Sequence, residues 1–155
     1  MRYCMVDRFL EFERGRRAVA VKNVTLSDDL TTEYQPGQPF MAPSMLLESI
    51  AQAAGILLMY SLDNAGQAML AKVNSFKCIE APRPGDQIII EVILEDIRDE
   101  GCRVNAVAKV NSNVVAESIF LLAIVPSDVA PKEFREQSER RLRAFYPELL
   151  TAETK

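Results

Sequence analysis

The feature that most constrains the fold is a long apolar stretch, MLLESIAQAAGILLMY, at positions 45–60. Its residues are strong helix formers, and Pro43 suits the first turn of a helix. Apolar side chains would occupy nearly every face of this helix, and several residues are small: Ala51, Ala53, Ala54 and Gly55. Such a helix must be buried on most sides, so we predict that it forms the centre of the domain.

Extended segments flank this helix on both sides. Residues 6–13 and 17–25 are rich in β-forming residues and are separated by a turn at Gly15, which predicts a hairpin. Turn sequences then separate four further segments, at 68–77, 87–98, 103–110 and 114–125. The last three of these predict an antiparallel meander.

One predicted strand alternates clearly between apolar and charged residues. Ile88, Ile90, Val92 and Leu94 share one face, and Glu91 and Glu95 lie on the other. This alternation is typical of a sheet covered on one side only. Two strands, a buried helix and four strands therefore predict an α+β hot-dog fold, in which a curled antiparallel sheet wraps around a long central helix. A single sheet of this kind has open edges, so we expect dimerisation.

The end of the chain differs in composition from the rest. We assign residues 1–125 to the hot-dog domain and residues 126–155 to a C-terminal helical extension. Phe134, Ser138, Leu142 and Phe145 would lie on one face of an amphipathic helix. Two roles are open for it: packing over a sheet edge or a dimer neighbour, or recruiting a partner.

Composition excludes several classes of function. A net charge of −4 and a pI near 5.0 argue against bulk attraction to nucleic acid or anionic membranes. Polar residues interrupt the longest apolar window, so no membrane span is predicted. Cys4, Cys78 and Cys102 form no CxxC pair, and the chain contains no histidine. We therefore expect no metal site and no cofactor, and we expect reduced thiols in a cytoplasmic protein.

Three segments resemble one known family. VDRFLEFERGRRAVAVKNVT at 6–25, PGQPFMAPSMLLESIAQAAG at 36–55 and RPGDQIIIEVIL at 83–94 are similar to the hot-dog β-hydroxyacyl-acyl-carrier-protein dehydratases of fatty acid synthesis. The resemblance covers about residues 6–125. In that family a histidine in a Gly-His-Phe-Pro-Gly turn and a glutamate on the central helix, contributed by two subunits, dehydrate a 3-hydroxyacyl thioester.

The resemblance implies a set of site residues. Glu48 matches the family glutamate, and Tyr34 stands at the position of the catalytic histidine, so these two are the candidate catalytic residues. Gly37 matches the glycine whose backbone N–H holds the thioester carbonyl, and Gln38 replaces a second family histidine. Gln52 lies one turn beyond Glu48 and is expected to bond Glu48 or the backbone. We predict that Gly37, Gln38 and Gln52 bind substrate.

The missing histidine changes the expected chemistry. Removing a proton alpha to a thioester needs a base near neutral pKa, a polarised carbonyl oxygen and an acid for the leaving hydroxyl. A tyrosine, with a pKa of about 10, is a poor base. Glu48 is then the remaining candidate base, a role for which burial would suit it. The other interpretation of this lone helix glutamate is a buried residue satisfied by hydrogen bonds.

These observations predict a protein that binds acyl thioesters of acyl-carrier protein or CoA, in fatty acid or polyketide-type metabolism. It would be a dehydratase-like hydro-lyase if active, although ordinary dehydration is disfavoured without histidine. Two alternatives remain open. One is a thioesterase in which Glu48 activates water, and the helix N-terminus and Gly37 hold the oxyanion. The other is a non-catalytic partner of an active dehydratase. The predicted assembly is a homodimer or a higher oligomer of dimers.

Overall fold

The architecture is a six-stranded antiparallel sheet with one long helix packed against it. A computed structural model describes residues 4–27, 31–33, 36–62, 66–126, 136, 140 and 143–151. The sheet has the strand order β1-β2-β6-β7-β8-β5, and β3 and β4 form a separate two-stranded ladder. The elements are β1 (Arg8–Glu13), β2 (Arg17–Asn23), β3 (Thr31–Thr32), β4 (Phe40–Met41), α1 (Pro43–Ser61), β5 (Gly66–Cys78), β6 (Gln87–Arg98), β7 (Gly101–Val110), β8 (Asn113–Pro126) and α2 (Glu148–Thr151).

The prediction of a central buried helix is confirmed. Leu46, Ile50 and Leu57 of α1 are fully buried. The sheet residues that form the core with the helix include five small, buried side chains: Ala18, Ala20, Ala106, Ala108 and Ala116. Small residues on both elements let the helix approach the sheet closely. Half of α1 is buried inside the protein, although its length and apolar composition alone match a membrane span.

The alternation predicted for β6 is present. Its four inward residues are between 0% and 6% exposed. On the outer face, Glu91 accepts a hydrogen bond from Arg17 at 2.6 Å, and Glu11 also bonds this guanidinium. The two carboxylates, Glu91 foremost, raise the pKa of Arg17 above its ordinary value. This part of the outer face therefore carries paired charges.

The two edges of the sheet have different surroundings. At β1, the Phe9 N–H donates to the Glu148 carboxylate at 2.9 Å, so a residue near the chain end satisfies one backbone group of this edge. At β5, every residue from 69 to 75 is exposed. Met69, Leu70 and Val73 contribute 39–51% exposed apolar side chains to this strand. A long, exposed and partly apolar edge strand is a template for pairing with another chain.

The predicted C-terminal amphipathic helix lies only partly among the described residues, of which 136, 140 and 143–145 are helical. Of the four residues assigned to one face of it, Phe134, Ser138 and Leu142 lie outside the described residues, so that assignment stays a prediction. Phe145 is 38% exposed, whereas Tyr146 and Leu149 are each 2% exposed. The helical residues end before Pro147, because a residue before proline disfavours the helical conformation. The helix is interrupted at Tyr146, and α2 begins at Glu148.

Two buried groups that can lose a proton, the Cys102 thiol and the Tyr146 hydroxyl, predict a loss of stability at alkaline pH. Burial raises the pKa of the Cys102 thiol from 9.0 to about 11, and burial also raises the pKa of the Tyr146 hydroxyl. Above about pH 9 the unfolded chain releases protons that the folded chain retains, so the free energy of unfolding falls as pH rises. Urea unfolding at pH 8 and pH 10.5 measures this fall. We expect a smaller fall in a Cys102→Ala, Tyr146→Phe double variant; an equal fall in both proteins would contradict the assignment.

Candidate functional site

The site is built on the N-terminal half of α1. Ala42 precedes the helix and accepts hydrogen bonds from the N–H groups of Met45 and Leu46, at 2.9 and 3.1 Å. Pro43 occupies the first turn, and no side chain caps this end. The entry to the helix is fixed because the Met41 N–H donates to the Pro82 carbonyl at 2.7 Å. The helix N-terminus thus has no side-chain cap and carries a partial positive charge, although the Met45 and Leu46 N–H groups are already bonded to Ala42.

One face of α1 is not fully buried, and we call it the α1 stripe: Met45, Glu48, Gln52, Gly55, Ile56 and Met59. These residues recur at intervals of three and four, so they form one continuous band along the helix. Polar side chains lie in its first half, and apolar side chains dominate its second half. A Cβ atom at Gly55 would lie 3.6 Å from the Ala68 Cβ atom. The α1 stripe therefore runs beside β5, the exposed edge strand.

Glu48 is the one acidic residue of α1, and its side chain is exposed. Within a single chain Glu48 is therefore not buried, although it does accept a hydrogen bond. Gln52 Nε2 donates to Glu48 Oε1 at 2.9 Å, as the sequence predicted for a residue one turn further along. Gln52 Oε1 in turn accepts the backbone N–H of Met5 at 2.9 Å. The carboxylate thus stands in solvent but is held by an amide that the N-terminal backbone fixes.

The glycine turn before the helix is formed as expected. Gly37 has φ +78°, a left-handed conformation in which other residues are strained. Its N–H, predicted to hold a thioester carbonyl, donates to Glu33 Oε2 at 3.3 Å. A carbonyl bound at this N–H would have to displace the Glu33 carboxylate. Gln38 follows in the same turn and is exposed.

The structure brings together part of the predicted site. Glu48 and Gln52 form a hydrogen-bonded pair on the α1 stripe, and Gly37 and Gln38 lie on the loop between β3 and β4, which leads into α1. Tyr34, the candidate partner of Glu48, lies outside the described residues. Its role stays a prediction.

The described part of the chain contains no candidate metal site. Among those residues, no three histidine, cysteine, aspartate or glutamate side chains are grouped so that they could hold a metal ion. The three cysteines are free thiols, and Cys102 is buried. Among the described residues, the candidate reactive group of this site is the Glu48 carboxylate.

Two residues near the candidate site were not predicted from the sequence. Met5 makes its contact through a backbone N–H, which every residue except proline has, so the residue type gives no signal. Tyr146 is buried and donates a 2.8 Å hydrogen bond to the Val6 carbonyl, next to Met5. The only available signal was Pro147, which interrupts the helix and changes which aromatic ring is buried.

Comparison with known proteins agrees with the fold. Residues 1–120 match the model of the FabA-like domain. The chain is 35% identical over 124 residues to a 3-hydroxyacyl-[acyl-carrier-protein] dehydratase of Caldanaerobacter subterraneus, covering 78% of this chain and 88% of that protein. It is 38% identical over 123 residues to the dehydratase of the same name from an Acidovorax strain, covering 75% and 83%.

Solved structures resemble the chain in fold. A Streptococcus mutans protein bound to acetyl CoA superposes with a TM-score of 0.65 at 16% identity, covering 81% of this chain and 93% of that one. A dehydratase heterocomplex from Xenorhabdus doucetiae gives 0.69 at 12% identity, covering 81% and 85%. A hot-dog-like protein from Thermanaerovibrio acidaminovorans gives 0.63 at 20% identity, covering 81% and 93%. Together with the sequence matches, these likenesses establish that the chain belongs to the FabA-like, 3-hydroxyacyl-[acyl-carrier-protein] dehydratase family of hot-dog proteins.

Proposed function

We propose that this protein binds acyl thioesters of acyl-carrier protein or CoA along the α1 stripe, and that it does not perform ordinary 3-hydroxyacyl dehydration by itself. The observation that carries the proposal is Glu48, an exposed carboxylate at the polar end of a half-exposed apolar band, in a chain without histidine. The thioester would lie near Glu48, and the acyl chain would extend toward Met59.

The chemistry of the α1 stripe supports this ligand class. An acyl thioester has a polar carbonyl group and an apolar tail. Glu48 and Gln52, near the uncapped helix N-terminus, suit the first part, and Ile56 and Met59 suit the second. Ligand sites commonly combine an apolar lining with a few placed polar groups. The relatives named as dehydratases of acyl-carrier-protein substrates favour the same class, and so does the neighbour bound to acetyl CoA.

The family reaction is disfavoured for this chain because the histidine that the family uses as base is missing. No histidine exists anywhere in the sequence, so no assembly of identical copies can supply one. Glu48 is exposed and accepts one described hydrogen bond, which comes from Gln52. Tyr34 stands at the position of the family histidine but ionises too weakly near neutral pH to replace it as a base. These residues support binding without dehydration.

A thioesterase is the second candidate. An exposed carboxylate can activate water directly, and hydrolysis needs no histidine if that carboxylate acts as general base. The uncapped N-terminus of α1 would stabilise the oxyanion, helped by the Gly37 N–H once Glu33 releases it. The thioesterase and the binding proposal both use Glu48, and they differ in whether the bound thioester is hydrolysed.

A dimer is the assembly that we propose, formed through β5. At the β1 edge Glu148 bonds the Phe9 N–H, whereas residues 69–75 of β5 are all exposed, and β5 approaches the α1 stripe at Gly55. Pairing of two β5 strands would extend the sheet and enclose the stripe. A non-catalytic partner of an active dehydratase would use the same edge, and the neighbouring heterocomplex of dehydratases supports that alternative. Three free thiols favour a cytoplasmic setting.

The acyl-binding proposal is tested by Met59→Glu. A charge in the apolar half of the α1 stripe should weaken binding of a long-chain acyl-CoA by about tenfold or more, because the charge loses solvation beside the chain. Acetyl-CoA, which does not reach Met59, should bind unchanged. Calorimetric titration measures both affinities. Leu26→Glu, at a side chain that is 70% exposed, is the matched control; an equal loss in both variants would refute the placement.

Turnover is tested with 3-hydroxyacyl, enoyl and saturated acyl thioesters. We expect no robust dehydration or hydration by the wild-type protein. Dehydration that is abolished in Glu48→Gln would overturn this expectation. Release of free thiol would establish the thioesterase, and Glu48→Gln should then lower its rate by about 10²–10⁴-fold. Thiol release that survives the substitution would rule out Glu48 as the base.

The β5 dimer is tested by Leu70→Lys combined with Val73→Lys. Two added charges on this edge should convert a dimer into a monomer of 17.4 kDa in light scattering. Leu10→Lys on the opposite edge strand is the control and should stay dimeric. A monomeric wild-type protein would contradict the proposal. If the partner is an active dehydratase, the double variant should also lose retention on that immobilised enzyme.

A further inference from the structure

The Gln52 side chain connects the N-terminal backbone to Glu48. Its oxygen accepts the Met5 N–H, and its nitrogen donates to Glu48 Oε1, both at 2.9 Å. A backbone N–H can only donate, and a carboxylate can only accept, so these two partners fix which end of the amide faces each of them. Gln52 therefore holds one Glu48 oxygen in a position set by Met5.

The backbone beside Met5 is held from the other side by the chain end. Met5 and Val6 are each 1% exposed. The Tyr146 hydroxyl donates to the Val6 carbonyl at 2.8 Å and lies 3.1 Å from Cys4 Sγ. The Tyr146 ring packs edge-on against Phe9, with centroids 5.3 Å apart.

Glu148 adds a second attachment, since it accepts the Phe9 N–H. Two residues near the chain end thus bond two backbone groups of the N-terminal stretch, the Val6 carbonyl and the Phe9 N–H. The family match ends at residue 120. Tyr146 and Glu148 therefore lie beyond the matched domain, within the extension that we assign to residues 126–155.

We infer that Tyr146 and Gln52 are positioning residues for Glu48: the chain end fixes the backbone at Met5 and Val6, and this backbone holds Gln52 against the carboxylate. The inference rests on the proposed function in so far as Glu48 is the reactive group of the site. An exposed glutamate on a helix otherwise samples several rotamers. The series of contacts from Tyr146 to Glu48 restricts that sampling without burying the carboxylate.

The test uses the full chain and NMR readouts that do not depend on catalysis. Tyr146→Phe keeps the ring packing and removes one hydrogen bond. We expect amide exchange at Met5 to accelerate about fivefold, the change that corresponds to one net hydrogen bond. We also expect the side-chain couplings of Glu48 to move from one dominant rotamer toward averaged values. Gln52→Leu, at a half-exposed position, should give the same Glu48 averaging.

The matched control is Ser118→Ala. It removes a buried hydroxyl that donates to the Ser75 carbonyl at 3.1 Å, in the sheet away from these contacts. It should leave Met5 exchange and Glu48 couplings unchanged. Because Tyr146 and Gln52 act in series, the Tyr146→Phe, Gln52→Leu double variant should show no more averaging of the Glu48 side-chain couplings than Gln52→Leu alone.

Two results would overturn the inference. In the first, the Glu48 couplings do not change in Gln52→Leu. In the second, they change equally in Ser118→Ala and in Tyr146→Phe. Acyl-CoA affinity measured on the same samples separates this inference from the proposed function. Restricted Glu48 rotamers in a wild-type protein that binds no thioester would refute the function and support the positioning role. If the wild-type protein binds a thioester and neither variant changes the Glu48 couplings, the proposed function is supported and the positioning role is refuted.

Discussion

The close packing of α1 on the concave sheet is the interaction on which the other features depend. Alanines in both elements allow the helix backbone to approach the strands, and most helix faces are buried as a result. Polar side chains are then tolerated only on the remaining band, because burying them without partners would be costly. Ser49 is the exception within the buried face, and its hydroxyl is satisfied by the Met45 carbonyl. The location of Glu48 on the α1 stripe is thus a consequence of the packing.

The two edge strands of the sheet, β1 and β5, have different contacts. Unpaired edge strands are sites at which other chains can pair. At β1 the chain supplies its own cover through Glu148 and Tyr146, which also brings the chain end to the backbone beside Gln52. At β5 the backbone stays exposed beside the α1 stripe. In our proposals, the contacts at β1 hold the backbone that supports Glu48, and β5 is the edge where a second chain would pair and enclose the α1 stripe.

The sequence predicted elements whose pattern is repeated over many residues. The apolar content of α1 and the alternation from Ile88 to Leu94 placed the core correctly, and the pair Glu48–Gln52 followed from helical spacing. Features that depend on one contact were not predictable. The β3–β4 ladder has two residues in each strand, too few for a periodic signal. The Met5 contact uses a backbone N–H, and the burial of Tyr146 in place of Phe145 depends on how the chain turns at Pro147.

The absence of histidine constrains the chemistry more than the fold does. A dehydratase needs a base that is largely unprotonated at neutral pH and also an acid for the departing hydroxyl. A carboxylate such as that of Glu48 can accept a proton, but the same group cannot also serve as the acid for the departing hydroxyl. A second group would have to act as the acid, and a tyrosine hydroxyl is suited to donating a proton, not to accepting one. Hydrolysis would require a base and an oxyanion site, and the proposed ones are Glu48 and the N-terminal end of α1. The retained residues therefore favour binding or hydrolysis, whereas dehydration would need Tyr34 as acid and a carboxylate strong enough to remove a carbon-bound proton.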